Sequence, residues 1–503
     1  MDRRTLLRGL AAAPLAGALP AHAGAGAPAA ASWKDAFDRA LARDRRLLGW
    51  KSAPGKRLEA SALPVRGRLP RGLAGTFYRN GPALHERGGR RYRHWFDGDG
   101  MVQAFRLDGA TVGHLGRTVE TAKLAAEERA GRHRFPAFGT PAPEPIALRG
   151  PDQLNAANIS VLHHAGELLA LWEGGSAHRL DPATLATLGR KSWRADLDGV
   201  AFSAHPKVEP DGTLWNFGCE PSHGLLVLYR IDAAGRLREA ATIAVEQLGM
   251  IHDFVVTERH LVFVLPPLVF ERERFGPSGS FLDAHVWRPE LGTRVLVVAK
   301  DDVAARRWYR LPAGFAFHFG NGWEDGDGTV RFDYCVAPDA TVMTETLRYV
   351  MRGELRHPTA PARLAQVALP ARGAAAQTVF GPAAEFPRVA PAVVARRHRQ
   401  LYLLTGGRDG VRLTAVARFD AGRGFDDRFD YGERFIAEEH VFVPRPSGGG
   451  ETDGWLVGTA LDLAAGVTVL SVFDAARLAE GPLAQAALPY PLPLGFHGTF
   501  VPA

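Results

Sequence analysis

The sequence predicts an all-β protein of the propeller type, and three observations carry that expectation. Apolar runs such as "GLLVLYRIDAAGRL", "HLVFVLPPL", "TRVLVVAKDD", "QLYLLTGG" and "VTVLSVFDAARL" are bounded by Gly, Asp, Asn and Pro, the mark of short strands. Several end in an Asp turn and start again, as in "RIDAAGRL" and "RFDAGRG", so they read as antiparallel meanders. This rhythm continues along most of a 503-residue chain with almost no helical periodicity. That is more strand than a sandwich holds, and a parallel α/β fold would need crossover helices.

The elements follow in order. "MDRRTLLRGLAAAPLAGALPAHA", residues 1–23, has a basic start, an apolar middle too short to span a bilayer and an Ala21-His22-Ala23 end, the layout of an export signal. Its Arg3-Arg4 pair is of the twin-arginine type, an address that sends folded protein to the periplasm; a Sec signal is the alternative. Residues 24–32 are a small-residue linker. "WKDAFDRALARDRRLLGW" places Trp33, Phe37, Leu41 and Leu47-Leu48 at helical spacing, which predicts one amphipathic helix. Strands fill the rest, and residues 33–503 read as one domain. "PPLVFERERFGPSGSFLDAHVWRPE" breaks the rhythm as a long insertion on one face, and Pro266–Phe270 with Gly279–Leu282 are expected to form an apolar patch suited to peripheral membrane contact. "FDGDGM" lacks the later ligands of a calcium loop and reads as a tight turn with capping aspartates; "NGWEDGDG" reads as a hairpin turn.

The formal charge is +7, with arginine scattered among acids as in "ERERF" and "RRHRQ". Scattered charge is a solvated face. No basic stripe interleaved with aromatics is present, so no nucleic-acid partner is expected. Cys219 and Cys335 show no zinc spacing; a disulfide and two free thiols both remain open.

The chain has 18 histidines, and one beside an apolar run is ordinarily a core or surface residue. Four share a context at the edge of a strand-like piece: His205 in "SAHPK", His252 in "MIHDF", His318 in "AFHFGNGW" and His497 in "GFHGT". In a propeller such edges gather near the axis. Imidazole suits iron, copper, zinc and nickel, and a buried cation held by neutral ligands calls for carboxylates behind them. Spacing alone does not choose four of 18.

"GTFYRNGPALHERGGRRYRHWFDGDGMVQAFRL", "LLALWEGGSAHRLDPATL", "SAHPKVEPDGTL", "MIHDFVVTERHLVF", "EFPRV", "HVFVPRP" and "GFHGTFVP" resemble, in this order, the carotenoid cleavage oxygenases, which include the retinal-pigment isomerase and the lignostilbene dioxygenases. The resemblance runs from about Lys56 onward. It implies a seven-bladed propeller with loop insertions above the metal and an Fe(2+) held by His205, His252, His318 and His497. It also implies Glu173, Glu385 and Glu439 behind those histidines, with Asn321 and Glu324 in the turn after His318. The implied reaction is oxidative cleavage of a conjugated alkene by dioxygen in a dry tunnel, whose shape selects the double bond.

Two departures bear on the substrate. The phenolic-stilbene branch resembles this chain except for a lysine where Trp172 stands, so Trp172 is expected to line an apolar tunnel. Ile159 stands where relatives often carry Thr or Val and is expected to crowd one metal position. Trp172 favours a lipophilic carotenoid or apocarotenoid, and Ile159 is expected to narrow access for oxygen or substrate. Cleavage of phenolic stilbenes, isomerisation or hydrolysis on the same centre, and a non-catalytic binding propeller are the alternatives.

Overall fold

The computed structural model describes residues 32–503 apart from 277 and 408–411; the expected export signal and all of its linker except Ser32 lie outside the described residues. Seven antiparallel blades surround one axis. The first joins Arg57–Leu63, Val112–Thr118, Asp99–Leu107 and Gly75–Leu84, and the next three are four-stranded sheets over residues 160–190, 207–244 and 255–311. The fifth and sixth share the strand Ala376–Arg388: its first part pairs with Arg363–Leu369, and Ala384–Arg388 pairs with Gln400–Thr405. The seventh is built on Phe435–Pro444, Gly454–Asp462, Val467–Asp474 and Ala484–Ala487.

Two late pairings close the ring. Gly498–Pro502 adds to Gly75–Leu84 as the innermost strand of the first blade, and Val65–Gly67 adds to Ala484–Ala487 at the outer edge of the seventh. These pairings tie the two ends of the chain into shared sheets, while each blade keeps its own short edge strands. Gly498 permits the first of them sterically, since a Cβ there would lie 2.5 Å from the Tyr78 carbonyl oxygen.

The blades pack face to face through alternating aliphatic residues. Val255, Val262, Val295 and Val297 meet Val330, Phe332 and Val367 between the fourth and fifth. The pattern alternates along each strand because successive side chains point to opposite faces.

Outside the blades the expectations need correction. The first helix stops at Leu41, and Arg45–Trp50 is a separate 3-10 turn capped by Asp44, because four charged residues between Arg43 and Arg46 interrupt the apolar stripe. Phe37 anchors the helix against Trp50, Met351 and Leu461; burying such a side chain contributes about 2–3 kcal/mol. A second helix, Ala122–Ala130, is also present. Residues 342–352 form helical turns, one of them π-type. The insertion exists as a two-stranded ribbon, Leu268–Phe270 with His285–Trp287, inside the fourth blade. Its apolar residues do not form the expected surface patch. Leu268, Val269 and Leu282 are buried, and Leu268 and Leu282 pack with Phe315, Phe317, Met343 and Leu347. No helix among the described residues is long and apolar enough to cross a membrane. Cys219 and Cys335 are free thiols.

Candidate metal centre

Each of the four histidines sits on, or just before, the innermost strand of its blade. His205 precedes Lys207–Val208, His252 precedes Val255–Val256, His318 lies within Phe315–Glu324, and His497 precedes Gly498–Pro502. The ring therefore brings together residues separated by nearly 300 positions in sequence. One nitrogen of each lies within 4.8 Å of the others. The His205–His252, His205–His497 and His318–His497 ring centroids are 4.4, 4.5 and 4.7 Å apart.

Strand irregularities aim the side chains. The ladder slips between Ala316 and Phe319, between Glu385 and Arg388, and between Ala437 and His440, so His318, Glu385 and Glu439 each lie at a bulge. A bulge redirects a side chain that regular alternation would send into the blade. At the second of these Phe386 has φ +55°, a left-handed conformation that costs a bulky residue strain. It stacks its ring on His318 at 4.9 Å. Asn321 and Glu324 lie within the strand and not in a turn: the turn begins at Asp325. Asn321 bonds the backbone of Val393 and Arg396, and Glu324 binds Thr257, Arg259 and His260.

Three carboxylates accept the Nδ1 protons. Glu173 lies 2.7 Å from His252 Nδ1, Glu385 2.5 Å from His318 Nδ1 and Glu439 2.8 Å from His497 Nδ1. That choice of tautomer leaves each Nε2 as a bare lone pair. Among the described residues His205 has no carboxylate within hydrogen-bond reach; its Nδ1 is 3.9 Å from Asp253, which pairs with Lys207 at 2.7 Å.

The residues fit a divalent cation. His205 Nε2 and His252 Nε2 are 2.9 Å apart. Two nitrogens each about 2.1 Å from one ion, at right angles, would stand about 3 Å apart. Burial and the neighbouring His252 push His205 well below the usual imidazole range, and burial holds His497 at about 3. Both are thus neutral, the form that ligates. Burial alone would raise the Glu439 carboxyl, but Arg388 and His497 overcome it and hold it far below the carboxylate range. Arg388 grips Glu439 through two bonds of 2.8 and 2.9 Å. Glu173, Glu385 and Glu439 behind the rings supply the negative charge that a buried cation held by imidazoles needs, and Arg388 offsets part of it.

A cavity of about 140 Å³ adjoins the centre. His252, His318, His497 and Glu385 form part of its wall, and Ile159, Phe317, Phe386, Leu404 and Phe496 make most of the remainder apolar. Ile159 is part of this wall. Trp172 does not line this cavity: it packs, half-buried, against the core of the second and third blades and lies over Gly174. Its neighbour Glu173 is the residue turned toward His252. Asp97 and Asp99 are not turn caps. Asp97 accepts from the Gly139 N–H at 3.0 Å and from Thr140, and Asp99 pairs with Arg87 and Lys123 in a buried network.

Sequence reasoning missed Trp50, Trp95, Val342, Leu347 and Glu438, which also line the cavity. Glu438 carried one available signal, being adjacent to Glu439 in a strand whose only other polar residue is His440.

Comparison with known proteins gives a consistent answer. The sequence profile of the retinal pigment epithelial membrane protein family matches residues 53–502. Apocarotenoid-15,15'-oxygenase of Synechocystis is 29% identical over 467 residues, covering 87% of this chain and 92% of the relative. Isoeugenol monooxygenase of Pseudomonas nitroreducens is 28% identical over 471 residues (89% and 96%), and lignostilbene-alpha,beta-dioxygenase isozyme III of Sphingomonas paucimobilis 29% over 468 (88% and 94%). A cobalt-substituted structure of the Synechocystis apocarotenoid oxygenase superposes with TM-score 0.83 at 27% identity, covering 91% of this chain and 98% of that one.

Proposed function

Because the chain belongs to the retinal pigment epithelial membrane protein family, that of the carotenoid cleavage oxygenases, we propose that it cleaves a conjugated carbon–carbon double bond of a lipophilic carotenoid or apocarotenoid with dioxygen, using Fe(2+). The enzyme is a dioxygenase of that family. One observation carries the reading: four imidazole nitrogens converge, three of them oriented by glutamates, on the wall of an apolar cavity. His205, His252, His318 and His497 would hold the iron, which when bound supplies the means of using dioxygen. The protein's own part is positional. Glu173, Glu385 and Glu439 fix the tautomers, Phe317, Phe386 and Phe496 exclude water, and Ile159 narrows the wall beside the centre.

Phenolic stilbenes or phenylpropenes are the second reading. It is favoured by the near-equal identity to the isoeugenol and lignostilbene enzymes. We also propose export to the periplasm, on the strength of Arg3-Arg4 and the Ala21-His22-Ala23 end; recovery of the protein in the cytoplasmic fraction with Met1 intact would contradict it.

The test is iron quantification on purified protein, followed by incubation with apocarotenals and hydroxystilbenes under labelled dioxygen. About one iron per chain and label in carbonyl products are expected. Products without label would overturn oxidative cleavage in favour of isomerisation or hydrolysis. Absence of stoichiometric metal would leave a binding propeller.

A further inference from the structure

The backbone beside the metal centre is strained at one place. Seven residues other than glycine carry a positive φ among the described residues, and Phe386, at +55°, is the only aromatic one, the only one followed by proline and the only one on the cavity wall. Two of these circumstances add cost. A bulky side chain crowds the backbone at positive φ, and the ring of Pro387 pushes the residue before it toward an extended conformation of negative φ. The local sequence Glu385-Phe386-Pro387 therefore opposes the shape it adopts. Such a conformation persists only where the surroundings impose it, and it is a reason to look for function.

The surroundings here are two of the converging histidines and the carboxylate behind one of them. Between Glu385 and Arg388 three steps of the strand run against two of its partner, from Leu404 to Tyr402. The extra length turns the Phe386 ring over the centre. It stacks on His318 at 4.9 Å with 29° between the planes and lies 5.4 Å from His497. Its backbone N–H donates to Glu385 Oε2 at 2.9 Å, and the same oxygen accepts the Nδ1 proton of His318 at 2.5 Å.

Glu385 lacks the support that Glu439 has. Glu439 is 2% exposed and clamped by Arg388; Glu385 is 18% exposed and, among the described residues, pairs with no lysine or arginine. Water that reaches Glu385 competes for its bond to His318. A flat apolar ring laid on His318 keeps water away, and the N–H occupies a further acceptor position on the carboxylate. We propose that Phe386 is a positioning residue for His318: its N–H and its ring do for Glu385 what Arg388 does for Glu439 by charge, and the left-handed backbone at residue 386 is what puts them there. The proposal rests on the metal-centre reading and deepens it.

The test follows metal release. Full-length protein is loaded with cobalt(2+), whose visible absorption reports the geometry of its ligands, and is mixed with excess chelator. Phe386→Gly removes the ring at a backbone angle that glycine adopts freely, so this variant is expected to fold. Its cobalt should leave about tenfold faster than from the unaltered protein, the low end of the effect of losing a group behind a metal ligand, and its spectrum should shift. Phe386→Tyr, which keeps the ring face, should restore slow release. Phe96→Leu alters the same wall at a residue in ring contact with none of the four histidines, and should release cobalt at the unaltered rate. The strain is read separately, from urea midpoints of the metal-free variants. Glycine within a strand is ordinarily less stable than alanine; at residue 386 the order should reverse, because only alanine keeps the strain.

Unaltered release from Phe386→Gly overturns the positioning role. So does release from Phe96→Leu as fast as from Phe386→Gly, which marks a general loosening of the wall. An alanine variant more stable than the glycine variant overturns the strain. If the unaltered protein takes up no cobalt, the metal-centre reading itself falls, and the role of Phe386 falls with it.

Discussion

The two sides of the metal centre are built differently. On the His497 side, the ring bonds Glu439, Glu439 is clamped by Arg388 through two bonds, and its Oε2 also accepts the Gly498 N–H at 2.8 Å. On the His205 side the ring has no carboxylate partner among the described residues, and Asp253 is committed to Lys207 and to the backbone N–H groups of Phe254 and Phe319. The first ligand is held by directed bonds and opposite charge, the second by packing and by a backbone bond from its own N–H to Ser203. Directional bonds fix a ring's tautomer and angle; packing fixes only its place. The His497 side should therefore govern metal affinity, and the His205 side should be the adaptable one.

The largest test removes the rings themselves. His497→Ala and His205→Ala should both abolish turnover, and metal analysis after dialysis should find His497→Ala empty. If the comparison holds, His205→Ala retains measurable iron. Next, Glu439→Gln should weaken iron binding by roughly 10–100-fold, with Glu173→Gln nearer the bottom of that range because Glu173 is partly exposed and braced by no arginine. Equal losses in competitive chelator titrations would break the asymmetry. Asp253→Asn sharpens it from the other side, with an expected change in iron affinity below about tenfold. A smaller effect comes from Arg388→Met. Arg388 is more than a third exposed, so its pair with Glu439 is discounted for solvent to about 1 kcal/mol of stability, read from the urea midpoint of the metal-free protein. The smallest is dynamic. After iron is stripped, amide hydrogens over residues 203–208 should exchange faster than those over 498–502, whose strand is hydrogen-bonded in the ring.

The site and the scaffold were unequally legible in the sequence. Strands were readable because apolar runs between turn residues report burial directly. Four histidines and three glutamates were readable because they belong to short stretches whose resemblance to a family is specific. The helix Ala122–Ala130 was not readable, since its buried face is Lys123, Leu124 and Glu127, and charges paired within a network replace the apolar stripe that periodicity detects. Trp172 differs from its expected place because the strand ends at Leu171 and the chain turns at Glu173, which reaches His252 while Trp172 packs against the core between blades. The apolar segment differs for another reason: Leu268, Val269 and Leu282 cover their own protein, and composition does not say what an apolar loop covers. Trp50 and Trp95 meet edge to edge from two separate 3-10 turns, which no local pattern announces.

Closure of the ring has a consequence for biosynthesis. His497 directly precedes the strand that zips the first blade to the last part of the chain. A nascent polypeptide still emerging from the ribosome has at most three of its ligands and an open ring, so a full-affinity centre exists only after translation has passed residue 502. Metal uptake is thereby a checkpoint on completeness: a prematurely terminated product is both unzipped and unmetallated, and a single nonsense codon before His497 forfeits the cofactor and the circular scaffold together.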